Sequence, residues 1–236
     1  GSRKEWDKQR GRVERRAEKL QGKIDKLNAK AEAKGWSSEK LANKIGNASE
    51  RVASLNNSLS TMTDLENSAQ VYSLKSGVQG EGGVTYDTKS GNVVIAFGNT
   101  ANFVHETTHA GQYESGHMAF SADGSTLGQD VYDEVNAYKA QFAYDPSSVS
   151  GLTSSSVAKS FGDITATWVQ NIQASDGSKI YAPGGAANTG QVPVDINSGK
   201  AQLIKAYPKA AGALRGLPAN YRLRDTPGIR MGPFEY

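Results

Sequence analysis

Two imidazoles and a carboxylate set the chemistry open to this chain. In His105-Glu106-Thr107-Thr108-His109 the histidines stand four residues apart. On a helix, positions i and i+4 share one face, so both rings can reach a single zinc ion. Glu106 follows His105 directly, where its carboxylate can take a proton from water activated by the metal. The chain holds three histidines, His105, His109 and His117, all in this stretch. It has no cysteine, which excludes disulfides and thiolate ligands and leaves imidazole and carboxylate to bind a metal. A catalytic zinc takes three protein ligands and keeps one open position. Two residues compete for the third place: His117, shortly after His109, and Glu134, on a predicted helix behind a loop long enough to fold back. Asp133, beside Glu134, would point about 100° away round that helix and can at most support the site from behind.

The elements that must position these groups are legible on either side. Val93-Val94-Ile95-Ala96-Phe97 reads as a strand, and Gly98-Asn99-Thr100 as the turn and N-cap leading into the helix that carries the histidines. The strand is read as a sheet edge to which an extended peptide substrate could add. Val84 to Asp87 pairs with it as a β-hairpin across Lys89-Ser90-Gly91-Asn92. Asp130 to Tyr144 reads as a helix stopped before Pro146, on which Glu134, Tyr138 and Gln141 share a face. Tyr138 is thus either a core residue or a donor to the site. Val157 to Ile172 is a further helix candidate. Ala201 to Leu214 is another, interrupted at Pro208. Residues 77–83 are glycine-rich but lack the ending of a phosphate-binding loop and read as a turn.

Ahead of all this lies a different kind of sequence. Trp6, Val13, Leu20 and Leu27 recur every seven residues through 3–34, with Ala17, Ile24 and Ala31 between them, a heptad seam. Gly35 and Ser37 or Ser38 supply a stop and a start. A second amphipathic helix over 39–62 carries Leu41, Ile45, Ala48, Val52, Leu55, Leu59 and Met62 on one stripe. Residues 1–62 are therefore an antiparallel α-helical hairpin whose seam can be buried within itself or in a parent chain, and 63–236 a second domain. Thr63-x-x-Glu66 reads as a capping box at the junction.

The net charge is +3, and it is unevenly spread: residues 1–75 hold 16 Lys and Arg against 10 Asp and Glu, the remainder 11 against 14. The basic excess belongs to the hairpin, and the negative balance around the histidines argues against a nucleic-acid substrate. No apolar run approaches the roughly 20 residues a membrane span needs. Gly1-Ser2 reads as a cloning scar.

Phe103 to Gln112 together with Asp133-Glu134-Val135-Asn136-Ala137-Tyr138-Lys139-Ala140-Gln141 resembles the zincin metallopeptidases. Gln112 and Ser115 stand where the metzincin branch has its glycine and third histidine. A Glu on the next helix resembles the gluzincin branch instead. Domains of this look occur at the C-termini of bacterial Rhs-type polymorphic toxins and related effectors. The resemblance implies an α+β zincin-like fold behind the hairpin, with zinc held by His105, His109 and Glu134 and with Glu106 as general base. It also implies a protein or peptide substrate, an immunity protein or parent carrier chain as partner, and secretion or delivery to a target cell. The chain departs from the thermolysin pattern four residues after the third ligand, where Tyr138 replaces an acidic residue that would orient an imidazole. Two rival readings stay open: a non-catalytic module tied together by zinc, and a toxin acting on nucleic acid.

Overall fold

A computed structural model describes residues 2–153 and 156–234. The chain opens with α1 (Ser2–Lys34), whose buried residues Trp6, Val13, Ala17, Leu20, Ile24 and Ala31 trace the predicted seam. Gly35, at φ 65°, ends it, and the Ser37 hydroxyl accepts the Lys40 amide to start α2 (Ser38–Ile45). The second arm is not one helix. Gly46 adopts φ 55° and breaks it, and α3 (Ala48–Asn67) resumes two residues later and runs past residue 62. The apolar stripe alone could not reveal this, because it continues in phase across the break. Thr63 and Glu66 lie inside α3 and do not form a capping box. The Thr63 hydroxyl bonds back to the Leu59 carbonyl, and Glu66 accepts from Trp6 and Arg10 of α1.

Nor is the seam private to the hairpin. α1 packs along α3, and α3 in turn lies against the two helices that carry the candidate site. One apolar cluster runs from Trp6, Val13, Leu55 and Met62 to Ile95, Phe97, Phe103, Val104 and Tyr113. Trp6 meets Phe103 edge-on with ring centres 5.5 Å apart. Arg16 and Arg51 reach across to the carbonyls that end the later helix, Ala143 and Tyr144. Exposed C-terminal carbonyls carry partial negative charge, so two guanidinium groups there satisfy and stabilise them.

The sheet contains β1 (Tyr72–Lys75), β2 (Gly83–Tyr86) and β3 (Val93–Ala96) in the order β1-β3-β2. β1 runs parallel to β3, and β2 antiparallel to it with Val84 opposite Ile95. β3 is therefore central, which corrects the reading of Val93, Val94, Ile95, Ala96 and Phe97 as an edge. Val93, Ile95 and Phe97 are fully buried, as suits a continuous apolar run paired on both sides. The free edge nearest the site belongs to β2.

From β3 the chain turns at Gly98 into α4 (Thr100–Glu114), capped by Asn99, whose side chain accepts the Asn102 amide at 2.8 Å. Met118, Ala119 and Phe120 are fully buried, and Ala119–Phe120 (β4) pairs with Thr126–Leu127 (β5). α5 (Val131–Tyr144) begins with a capping box between Asp130 and Asp133 and packs on α4 and α3. Its far face, with Val131, Val135 and Phe142, covers Ile164, Trp168 and Ile172.

The helix expected over Val157–Ile172 is absent. A 3-10 turn at Phe161–Asp163 and the short α6 (Ala166–Gln170) replace it. The Asp163 carboxylate takes the amides of Lys159 and Ser160, and Thr165 caps α6, so local polar side chains outcompete the helical ladder. Ser154 and Ser155 of the serine-rich stretch lie outside the described residues. Pro208 does divide the last helical segment, into α7 (Lys200–Ala206) and α8 (Ala211–Arg215) with a 3-10 turn between. The chain is thus α+β, with eight α-helices among the described residues, a mixed three-stranded sheet and a two-stranded hairpin.

Candidate metal centre

α4 and α5 pack face to face and bring His105, His109 and Glu134 together, the histidines as their spacing predicts and Glu134 as the resemblance implies. All three are buried, at 5%, 5% and 4% exposure. The Nε2 atoms of the two imidazoles lie 3.2 Å apart. Glu134 Oε1 is 3.0 Å from His109 Nε2, and Oε2 is 3.3 Å from His105 Nε2. One ligand atom from each residue falls within 4.8 Å of the others. His117 is exposed and has no part in this cluster.

The outer hydrogen bonds settle which ring nitrogens face inward. His105 Nδ1 lies 3.0 Å from Gln141 Oε1, and His109 Nδ1 lies 2.8 Å from Gln112 Oε1. An amide oxygen only accepts, so a proton on each Nδ1 satisfies these bonds and leaves each Nε2 facing the centre, where it can offer a lone pair to a metal. Gln112 is itself fixed by donating to the Asp133 carbonyl at 2.9 Å, and Gln129 donates to Glu134 Oε1 at 2.8 Å. Glu134 Oε2 is buried with no hydrogen-bond partner. Two imidazole nitrogens and a carboxylate thus converge, and beyond the Gln129 amide at Oε1 no hydrogen bond satisfies Oε2. Such a set is costly to bury unless a cation joins it, and its imidazole and carboxylate atoms are those that suit zinc.

Without a metal, the Glu134 carboxylate favours a proton in the cation's place on the imidazole it faces. Burial alone would lower the His109 pKa, but the Glu134 carboxylate more than offsets this and raises it to about 10. Burial opposes the Glu134 charge, yet the neighbouring imidazoles hold its carboxyl well below the usual range. Glu106 is also buried, and burial pushes its pKa up against the pull of both histidines. That is the direction expected of a carboxylate that must accept a proton near neutrality.

The other expected residues fall into place differently. Tyr138 stands edge-on to the His105 ring at 4.5 Å, filling the position where a carboxylate would have oriented it. Gln141, one turn further along α5, makes that bond instead. Asp133 turns away: its carboxylate accepts the Asp130 amide in the helix cap, and only its carbonyl touches the site, through Gln112. Val93 to Phe97 lie beneath α4 in the core and do not line the opening.

A cleft of about 540 Å³ opens over the cluster, lined by Gly80 to Val84, Glu106, Tyr138, Gln141 and Tyr181, among others. Gly82 belongs there because a side chain would collide with the Ala96 carbonyl, at 2.2 Å from the added carbon. Tyr181, from a loop that carries no helix or strand pattern, is 9% exposed, and its hydroxyl lies 3.4 Å from that of Tyr138. Nothing in the sequence marks Tyr181 or Gln129. Gln112 and Gln141 could have been found, since each shares a helix face with a ligand. No protein-family model matches the chain, and neither the curated proteins nor the solved structures contain a significant match to it.

Proposed function

We propose that this chain is a zinc-dependent metallopeptidase, the toxin or effector domain of a larger secreted bacterial protein. The observation that carries the enzymatic part is the buried convergence of His105, His109 and Glu134, with Glu134 Oε2 left without a hydrogen bond, beneath an open cleft that Glu106 also lines. Bound to these three residues, zinc would supply Lewis-acid chemistry, polarising a carbonyl and making water acidic enough to lose a proton near pH 7. Glu106 takes that proton and returns it to the nitrogen of the departing amine as the C–N bond breaks. Gln112 and Gln141 hold the two imidazoles in the required tautomer. Tyr138 donates to the Tyr181 oxygen, which leaves the Tyr181 proton free to bond the oxygen that becomes negative at the attacked carbon.

The substrate backbone is held by β2. The Tyr86 N–H already donates outward, to the Gly124 carbonyl at 3.0 Å. By the alternation of an antiparallel strand, the N–H and C=O of Val84 face the same outward side, at the wall of the cleft. An extended peptide that pairs there lays its carbonyl over the metal centre. Delivery, an immunity partner and the carrier chain follow from the toxin resemblance.

Metal analysis combined with a peptidase assay tests the proposal. Wild-type protein should hold about one zinc per chain and cleave an unfolded protein substrate. Glu106→Gln should keep the metal and lose about 10²–10⁴-fold in turnover. Retained turnover in that variant, or a wild type that binds no zinc, refutes the assignment.

A further inference from the structure

Beside the metal cleft lies a second cavity, of about 250 Å³, built from the segment after residue 186 and the β5 turn. Leu127, Leu203, Leu214, Leu223, Tyr207 and Tyr221 line it, and no charged side chain does so among the described residues. The tyrosine hydroxyls are already bonded within the wall, that of Tyr207 to the Gln129 carbonyl and that of Tyr221 with the Thr226 hydroxyl. Leucine side chains and tyrosine rings thus make up most of the wall, with Thr126, Gln129, Asn188 and Thr226 as its uncharged polar part. Leu127, Leu214, Tyr207 and Tyr221 are only half-buried against the local core, so apolar surface stands uncovered around the cavity.

This cavity and the metal cleft share Thr126, Gln129 and Ala187 as lining. Gln129 is the partition: its side-chain amide bonds the Glu134 carboxylate on one side, and its carbonyl holds Tyr207 on the other. A group bound at the metal is thus one residue's thickness from the cavity. We propose that the cavity is a specificity pocket that receives an apolar side chain, aromatic or leucine-sized, next to the bond being cut. An apolar space of about 150 Å³ is enough for a benzene-sized ring, so a phenyl or isobutyl group fits here. A cation or carboxylate would enter without a partner and is excluded. The proposal rests on the peptidase reading, whose zinc cleft supplies the anchor from which the pocket is reached.

The test measures binding of three hydroxamates to the zinc-loaded full chain by calorimetry. Acetohydroxamate reports the metal alone, 3-phenylpropionohydroxamate adds a tethered ring, and 6-aminohexanohydroxamate adds a cation of similar reach. The ring should tighten binding on the order of tenfold to a hundredfold, the yield of burying one such group, and the cation less than threefold. Ala210→Trp, at the exposed rim of this cavity and outside the metal cleft, and Leu214→Arg, on the half-buried wall, should each abolish the gain and leave acetohydroxamate unchanged. A ring that gains nothing, a cation that gains as much, or a gain that survives both substitutions overturns the pocket alone. Absence of zinc and of acetohydroxamate binding overturns the metal reading, and the pocket with it.

Discussion

Replacing Gln112 with leucine should weaken zinc binding without touching a ligand. Gln112 is 8% exposed and makes two bonds: it accepts from His109 Nδ1 at 2.8 Å and donates to the Asp133 carbonyl at 2.9 Å. Leucine fills similar space but leaves His109 Nδ1 buried without its acceptor, while the Asp133 carbonyl keeps its helical bond, so the fold should lose about 1–3 kcal/mol. The metal feels a separate loss. Without an acceptor at Nδ1 the imidazole is free to turn and to move its proton to Nε2, and the remaining lone pair is less basic. Loss of such an outer partner typically costs about 10–100-fold in metal affinity. Gln141→Leu offers an internal comparison. Gln141 makes the equivalent bond to His105 but is only half-buried beside the cleft, where water can replace it, so its loss should cost under about tenfold. Competition against a chromogenic zinc chelator gives the affinities, and thermal melts in excess chelator isolate the metal-free fold. Affinity of Gln112→Leu within twofold of wild type, or a larger loss for Gln141→Leu, would show that these amides do not orient the imidazoles.

Glu134→Ala should lose zinc, whereas His117→Ala should bind it like wild type, both read by elemental analysis after dialysis. Stripping zinc with a chelator should lower the melting temperature, because the metal binds only the folded chain and its withdrawal leaves Glu134 Oε2 without a partner; an unchanged melt would count against a native metal. Trp6→Ala should cost about 3–5 kcal/mol in urea unfolding, although Trp6 lies about 100 residues from the metal ligands in sequence, since it packs on Phe103 and bonds Glu66. By the same reasoning, deletion of residues 2–67 should leave a protein without cooperative unfolding, because Phe103 and Val104 would lose the hairpin side of their core.

Most of the metal centre was legible in the sequence, because a helix converts spacing into direction. A spacing of four from His105 to His109 places two rings on one face whatever surrounds them. A glutamate on the next strongly patterned helix had few other burial-tolerant roles. The heptad seam, the hairpin over 84–97 and the caps at Ser37 and Asn99 were local for the same reason: each depends on residues close by in the chain. What only the tertiary structure decided involves partners distant in sequence. Strand order is one such case. Val93 to Phe97 carry the same apolar pattern whether one neighbour pairs with them or two, and only the docking of β1 made β3 central. The break at Gly46 is another, since a glycine inside an in-phase stripe does not announce the left-handed turn it takes. The orienting residue for His105 was sought four positions after Glu134 and lies at seven, because the Tyr138 ring occupies the nearer place against the imidazole. Gln129, Tyr181 and the apolar pocket come from loops whose residues have no periodicity. Their positions follow from the surfaces of α4, α5 and the last helices against which they fold.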